Sequence, residues 1–169
     1  AKDALRKLRQ IIENNNLNFQ ISSKTLEIFS KESLILPDTY FFTDRQQLER
    51  LMINQKIRLD NILTRLWKNK PKDNPLKSIN EALILASIVE REAAVEWERA
   101  QISSVFLSRI RDGWRLDADP TLIYGYYGDF SKKITKENLK AVKGDNNPFN
   151  TYKIKGLPPR PICYPSLSS

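Results

Sequence analysis

The sequence contains no histidine, a single cysteine (Cys163) and no glycine before Gly113. Without histidine, Ser–His–Asp and Cys–His mechanisms cannot run on this chain alone. Histidine-ligated zinc is excluded, and one cysteine cannot build Cys₄ zinc, an iron–sulfur cluster or an internal disulfide. Proton transfer near neutral pH therefore falls to a carboxylate with a raised pKa, a lysine or a tyrosine. Long apolar runs are also missing. The longest, Leu83 to Ala86 and then Ile88-Val89, is too short for a membrane span, and there is no signal-peptide pattern. A start at Ala1 and a Pro/Ser-rich end read as those of an excised fragment.

What is present fits one domain. A chain of 169 residues buries roughly 70% of its unfolded surface and needs no staples. Hydrophobic residues make up 40% and charged residues 28%, a globular balance. The net charge of +8, from 28 Lys+Arg against 20 Asp+Glu, favours an anionic partner without choosing among nucleic acid, membrane surface and acidic polymer. All five glycines lie between Gly113 and Gly156, and five of the nine prolines lie from Pro148 onward. The first two-thirds reads as helical, the last third as loops and short elements.

Leu5, Leu8, Ile11 and Ile12 share a helical face over residues 3–13. A weaker helix is expected at 24–31, and extended chain with a turn at Pro37-Asp38 over 34–42. Asp44 and Gln47 cap a long helix bearing Leu48, Met52, Gln55, Leu59, Ile62 and Leu66. Ser78 and Glu81 form a capping box for the next. That helix, Ala82 to Val89, is apolar around most of its circumference and is expected to be buried on several sides. A further helix, about Val95 to Ile110, turns Ile102, Val105, Phe106 and Ile110 inward and stops at Gly113. Asp119 reads as an N-cap with Pro120 as first helical residue. Gly125 and Gly128 frame an aromatic turn with Tyr124, Tyr126 and Tyr127. A small helix is expected within the lysine-rich stretch 131–143, and irregular chain or short strand from Asp145.

Glu90 is the sharpest chemical candidate. It ends an apolar helix, where desolvation and the helix C-terminus both push a carboxyl pKa upward. An acid protonated near neutral pH can donate to a leaving group, as in glycoside cleavage. The competing reading is an ion pair with Arg91 or another arginine. Glu92, two residues on, faces elsewhere. Asp117 and Asp119 are available as a second carboxylate, and the aromatic cluster of Tyr124, Tyr126, Tyr127, Phe149 and Tyr152 either stacks on sugar rings or bases or packs the core.

Five stretches in order over about residues 34–165 carry a resemblance. Leu85-Ala86-Ser87-Ile88-Val89-Glu90-Arg91-Glu92 resembles the L-A-S-I-V-E-K-E signature of endolytic murein transglycosylases, the YceG-like family. Leu36 to Tyr40 resembles F-P-D-T-Y, and Ser104 to Arg109 resembles S-V-F-x-N-R. Leu116 with Asp119 to Gly125 resembles L-x-x-D-P-T-V-I-Y-G. Asn150-Thr151-Tyr152 with Gly156 to Pro159 resembles N-T-Y-x-x-x-G-L-P-P. Departures are Ala93 for threonine, Ser108 for asparagine, Arg160 for a small residue after L-P-P, and Cys163-Tyr164-Pro165 for A-x-P.

The resemblance implies a mainly helical α+β catalytic domain at 34–169, truncated at its C-terminus, with residues 1–33 a helical remnant of a LysM-like subdomain. It implies cleavage of peptidoglycan between N-acetylmuramic acid and N-acetylglucosamine with formation of 1,6-anhydro ends. Glu90 acts as general acid and then base, so that no second carboxylate, metal or other cofactor is needed. Asp119, Tyr124, Asn150 and Tyr152 are candidates for positioning the substrate or the catalytic loop. Peptidoglycan synthases are the expected partners. The expected setting is the inner membrane, reached by an N-terminal helix absent here, with the catalytic domain facing the periplasm or cell exterior. A non-catalytic glycan-binding module and a basic nucleic-acid-binding protein stand as alternatives. No sequence context argues for the pyridoxal-phosphate lysine of an aminodeoxychorismate lyase.

Overall fold

The computed structural model of the protein describes residues 2–15, 17, 19–23, 35–131, 135 and 145–169. Among the described residues five α-helices are defined in full: α1 (Lys2–Asn14), α2 (Arg45–Lys68), α3 (Ile79–Glu92), α4 (Arg99–Arg111) and α5 (Asp119–Tyr127), with a 3₁₀ turn at Glu96–Glu98 before α4. No strand occurs among the described residues, so the β component of the expected α+β class is not found there. The proline-rich chain after Asp145 explains this locally. Proline has no N–H to give to a ladder, and the segment is held by turns and side chains instead. The helix expected at 24–31 and nearly all of 131–143 lie outside the described residues.

Local signals set the helix starts. The Asp44 carboxylate accepts the Gln47 N–H at 2.8 Å, while Gln47 Oε1 accepts the Thr43 N–H at 3.0 Å. At α3, Ser78 Oγ accepts the Glu81 N–H at 3.2 Å and Glu81 Oε2 accepts the Lys77 N–H at 2.6 Å. Both arrangements occupy N–H groups that a helix start leaves orphaned.

α3 is the centre of the packing. Ile84, Leu85, Ser87, Ile88 and Val89 are buried, and the four aliphatic ones pack with Leu76, Phe106, Leu116, Tyr124, Phe149 and Ile162 in one cluster. Burial of an aliphatic side chain of this size contributes roughly 1.5–3 kcal/mol. Ser87, fully buried, is reconciled with that setting by bonding. Its hydroxyl donates to the Ile84 carbonyl at 2.7 Å and accepts the Ile162 N–H at 3.0 Å, which ties the C-terminal chain to the helix. A second cluster joins Leu8 and Ile12 of α1 to Ile35, Leu48 and Met52, with Tyr164 packed against it.

The inward assignment of Val105 fails, and two apolar members of other helical patterns also lie outside the core. Ile11, Leu66 and Val105 are exposed. Each flanks a stripe that narrower sets fill: Leu8 and Ile12; Leu48, Met52 and Leu59; Ile102, Phe106 and Ile110. Leu66 lines a groove of ≈ 410 Å³ between α2, Ala82, Leu83 and Ala86 of α3, and Pro165–Leu167. α4 ends as expected at Gly113, whose φ of 68° suits a residue without Cβ.

The start of α5 differs from the capping expectation. The N-cap position is Ala118, and Asp119 is the first helical residue. Two threonines serve the cap backbone instead. Thr151 Oγ1 accepts the Ala118 N–H at 3.0 Å, Thr121 Oγ1 donates to the Ala118 carbonyl at 2.7 Å, and the two hydroxyls lie 2.8 Å apart. The Asp119 carboxylate is thereby left for another partner. α5 then continues through Gly125 to Tyr127, so the expected aromatic turn is the end of a helix.

Candidate active site

The two glutamates at the end of α3 face different neighbours, as a spacing of two residues on a helix requires. Glu90 is tied down. Its Oε2 accepts the Ser166 N–H at 3.0 Å and the Ser166 hydroxyl at 2.7 Å, and its Oε1 pairs with the Arg99 guanidinium at 3.1 Å. The Glu90 and Arg99 side chains are 23% and 17% exposed. Burial alone pushes this carboxyl up, but the bonds from Ser166 and Ser169 and the charge of Arg99 outweigh it and hold the carboxyl below the ordinary glutamate value. The raised pKa expected for Glu90 is therefore corrected. The reason is that the chain at 166–169, remote in sequence, brings donors to the carboxylate.

Glu92 has the opposite character. It closes α3, where the partial negative charge of the helix end disfavours a second negative charge. The residue stays open to solvent, yet partial burial of its carboxyl and then the charge of Asp119 push its pKa above the ordinary glutamate value. Asp119 enters from the N-terminus of α5, where the helix dipole favours negative charge. Its Oδ1 accepts the Tyr152 hydroxyl at 2.6 Å. The Tyr152 hydroxyl is pushed well above the ordinary tyrosine value, first by burial, then by its bond to Asp119 and by the charges of Asp119, Asp117 and Glu92. It stays neutral and acts as a donor across the working pH range. Asp117 has a φ of 53°, the left-handed region, and pairs with Arg109 at 3.5 Å. Aspartate is among the few residues with a Cβ that tolerate this conformation, and such backbone is often found at functional sites.

Helices α3 and α5 and the 150–152 turn thus bring together an accessible carboxyl with a raised pKa, a second carboxylate and a neutral phenol. The profile of the YceG-like family matches residues 2–169. The chain belongs to the YceG-like family. It is 31% identical over 151 residues to the endolytic murein transglycosylase of Bacillus subtilis, covering 86% of this chain and 40% of that protein. It is 30% identical over 144 residues to the endolytic murein transglycosylase of Streptococcus pneumoniae, covering 82% of this chain and 25% of that protein. A crystal structure of a yceG-like protein from Listeria monocytogenes superposes with a TM-score of 0.62 at 30% identity, over 80% of this chain and 43% of that one. The chain therefore spans between a quarter and less than half of the length of these relatives.

In this YceG-like chain the four positioning candidates divide. Asp119 and Tyr152 bond to each other beside Glu92. Tyr124 and Asn150 are buried. Tyr124 packs against Phe149 at 5.1 Å between ring centroids, and Asn150 donates to the Asp145 carbonyl at 3.2 Å while accepting the Tyr152 N–H at 3.2 Å. Both side chains lie in the interior, and Asn150 holds the turn that carries Tyr152. Sequence reasoning set Glu92 aside because it faces away from Glu90. The spacing alone does not tell which glutamate meets Asp119 and Tyr152, because residues 117–152 are distant from both in the chain. Ser166 and Arg99 had no local signal at all.

Proposed function

We propose that this chain is the catalytic part of a peptidoglycan lytic transglycosylase, with Glu92 as its general acid and base. The observation that carries the assignment of Glu92 is the pair of opposite environments at the end of α3. One carboxyl is engaged by the Ser166 N–H and hydroxyl and by Arg99, which lower its pKa, while the other lies open to solvent with its pKa raised by partial burial and by the charge of Asp119. A group that must first give and then take a proton works best with a pKa near the working pH. Murein transglycosylase is the name of the bacillar and pneumococcal relatives, and it supplies the substrate class of the proposal.

Neutral Glu92 protonates the glycosidic oxygen as the bond from the muramoyl anomeric carbon breaks. The substrate's own 2-acetamido group and the negative charge of Asp119 stabilise the oxocarbenium-like centre. Ionised Glu92 then takes the proton of the muramoyl 6-hydroxyl, whose oxygen attacks the anomeric carbon and closes the 1,6-anhydro ring. Proximity within one sugar supplies the nucleophile. The substrate places this activity at the cell envelope, where a peptidoglycan synthase is the natural partner.

The test is incubation of the protein with purified glycan strands and identification of the ends by mass spectrometry. Anhydro-muramoyl ends that disappear in Glu92→Gln and persist in Glu90→Gln are expected. Loss in Glu90→Gln with retention in Glu92→Gln returns the acid/base role to Glu90, the position the motif resemblance selects. Free reducing ends instead of anhydro ends overturn the lyase chemistry, and binding without cleavage favours a glycan-binding module.

A further inference from the structure

The acidic centre has a basic flank. Arg91, next to Glu92 in the chain, sets its guanidinium 3.8 Å over the Phe130 ring. Phe130 packs on Tyr124 at 6.1 Å, and Tyr124 on Phe149 at 5.1 Å. Arg160 lies 5.8 Å over Tyr124 and 5.7 Å over Phe149. One aromatic cluster therefore carries a guanidinium at each end. Both arginines are exposed, and neither makes an ion pair with a carboxylate of the described residues. Stacking engages the face of a guanidinium and leaves the N–H edges free to grip a planar anion.

We propose that Arg91 and Arg160 form a carboxylate-binding subsite beside the acid/base centre. The proposal rests on the glycan reading above, and its ligands are the carboxylates that peptidoglycan carries on its lactyl ethers or stem peptides. Electrostatics supplies the need. Asp119 keeps negative charge where the bond is cut, with Asp117 behind it in its pair with Arg109, and an anionic strand is repelled from such a centre unless cations stand beside it. The rings supply the order, because a long side chain held on an aromatic face loses less freedom when it binds.

The experiment compares two substrates, denuded glycan strands with free lactyl carboxylates and peptide-bearing strands, each with and without carbodiimide amidation. Both kcat/KM and Kd are measured for the wild-type protein, Arg91→Gln and Arg160→Gln. The wild-type protein is expected to favour a carboxylate strand over its amidated form by about fivefold, the strength of a partly exposed ion pair. Each substitution is expected to bring that ratio toward one. The strand that shows the preference identifies the lactyl or the peptide carboxylate as the source. An equal loss on charged and amidated strands reveals a merely structural stack and overturns the proposal, as does a wild-type ratio of one in both assays. If the wild-type protein cleaves neither strand, the acid/base reading fails, while the Kd ratios still decide the arginines.

Discussion

Replacing Glu90 by glutamine separates a structural from a chemical role at the end of α3. The carboxylate holds the Ser166 N–H and hydroxyl on one oxygen and Arg99 on the other. Glutamine keeps one carbonyl oxygen for Ser166 but turns an N–H₂ toward the guanidinium or the serine. The loss falls on Arg99, whose Nε is already buried without a hydrogen-bond partner. A hydrogen bond to a charged group contributes about 1.5–3 kcal/mol. An exposed pair contributes about 0.2–1 kcal/mol and a broken buried pair costs about 3–5 kcal/mol. With both side chains under a quarter exposed, the expected cost is about 2 kcal/mol. For a domain of this size that lowers Tm by about 5 °C. The pH dependence has a definite sign. The folded carboxyl is lower than the unfolded one, so its contribution is complete above the unfolded pKa and is lost as pH falls through the folded value. Thermal melts of wild type and Glu90→Gln from pH 7 downward should converge in acid. A variant as stable as wild type at pH 7, or a gap that widens on acidification, refutes the reasoning.

The other expectations follow from the acidic centre and its support. Asp119→Asn removes the negative charge that helps raise the Glu92 carboxyl, so the alkaline limb of the kcat/KM profile should move to lower pH; an unmoved limb separates Asp119 from Glu92. Gly125→Ala gains helix propensity of about 1 kcal/mol. Its new Cβ, however, meets Phe149 Cβ at 2.7 Å and Asn147 Oδ1 at 2.8 Å. The net result should be a destabilisation of about 1–2 kcal/mol, read by urea unfolding, and a neutral or stabilising outcome shows that the Asn147 turn yields freely.

The caps and the buried helix were legible because each is written in local sequence. Ser78 and Glu81, Asp44 and Gln47, and the apolar run from Ala82 to Val89 need no distant partner to declare themselves. The choice between Glu90 and Glu92 was not legible. Their spacing states only that they face apart. Which face meets donors and which meets other acids depends on where residues 166–169 and 117–152 lie, more than 20 residues away in the chain. The α5 start was misread for a related reason. Asp119-Pro120 is a sound capping signal taken alone, but Thr151, 32 residues on, takes over the Ala118 N–H. The inward assignment of Val105 failed more simply, since three apolar residues already fill that face of α4.

The threonine pair beneath Ala118 has a consequence for how this chain tolerates change. Thr121 and Thr151 are fully buried and lock two strips of chain that are 30 positions apart in sequence. Asp119 and Tyr152 ride on those strips, just outside the lock. Their register is tied to the two hydroxyls and Ala118. Loss of either hydroxyl is therefore expected to unsettle the acidic centre without touching an acidic side chain.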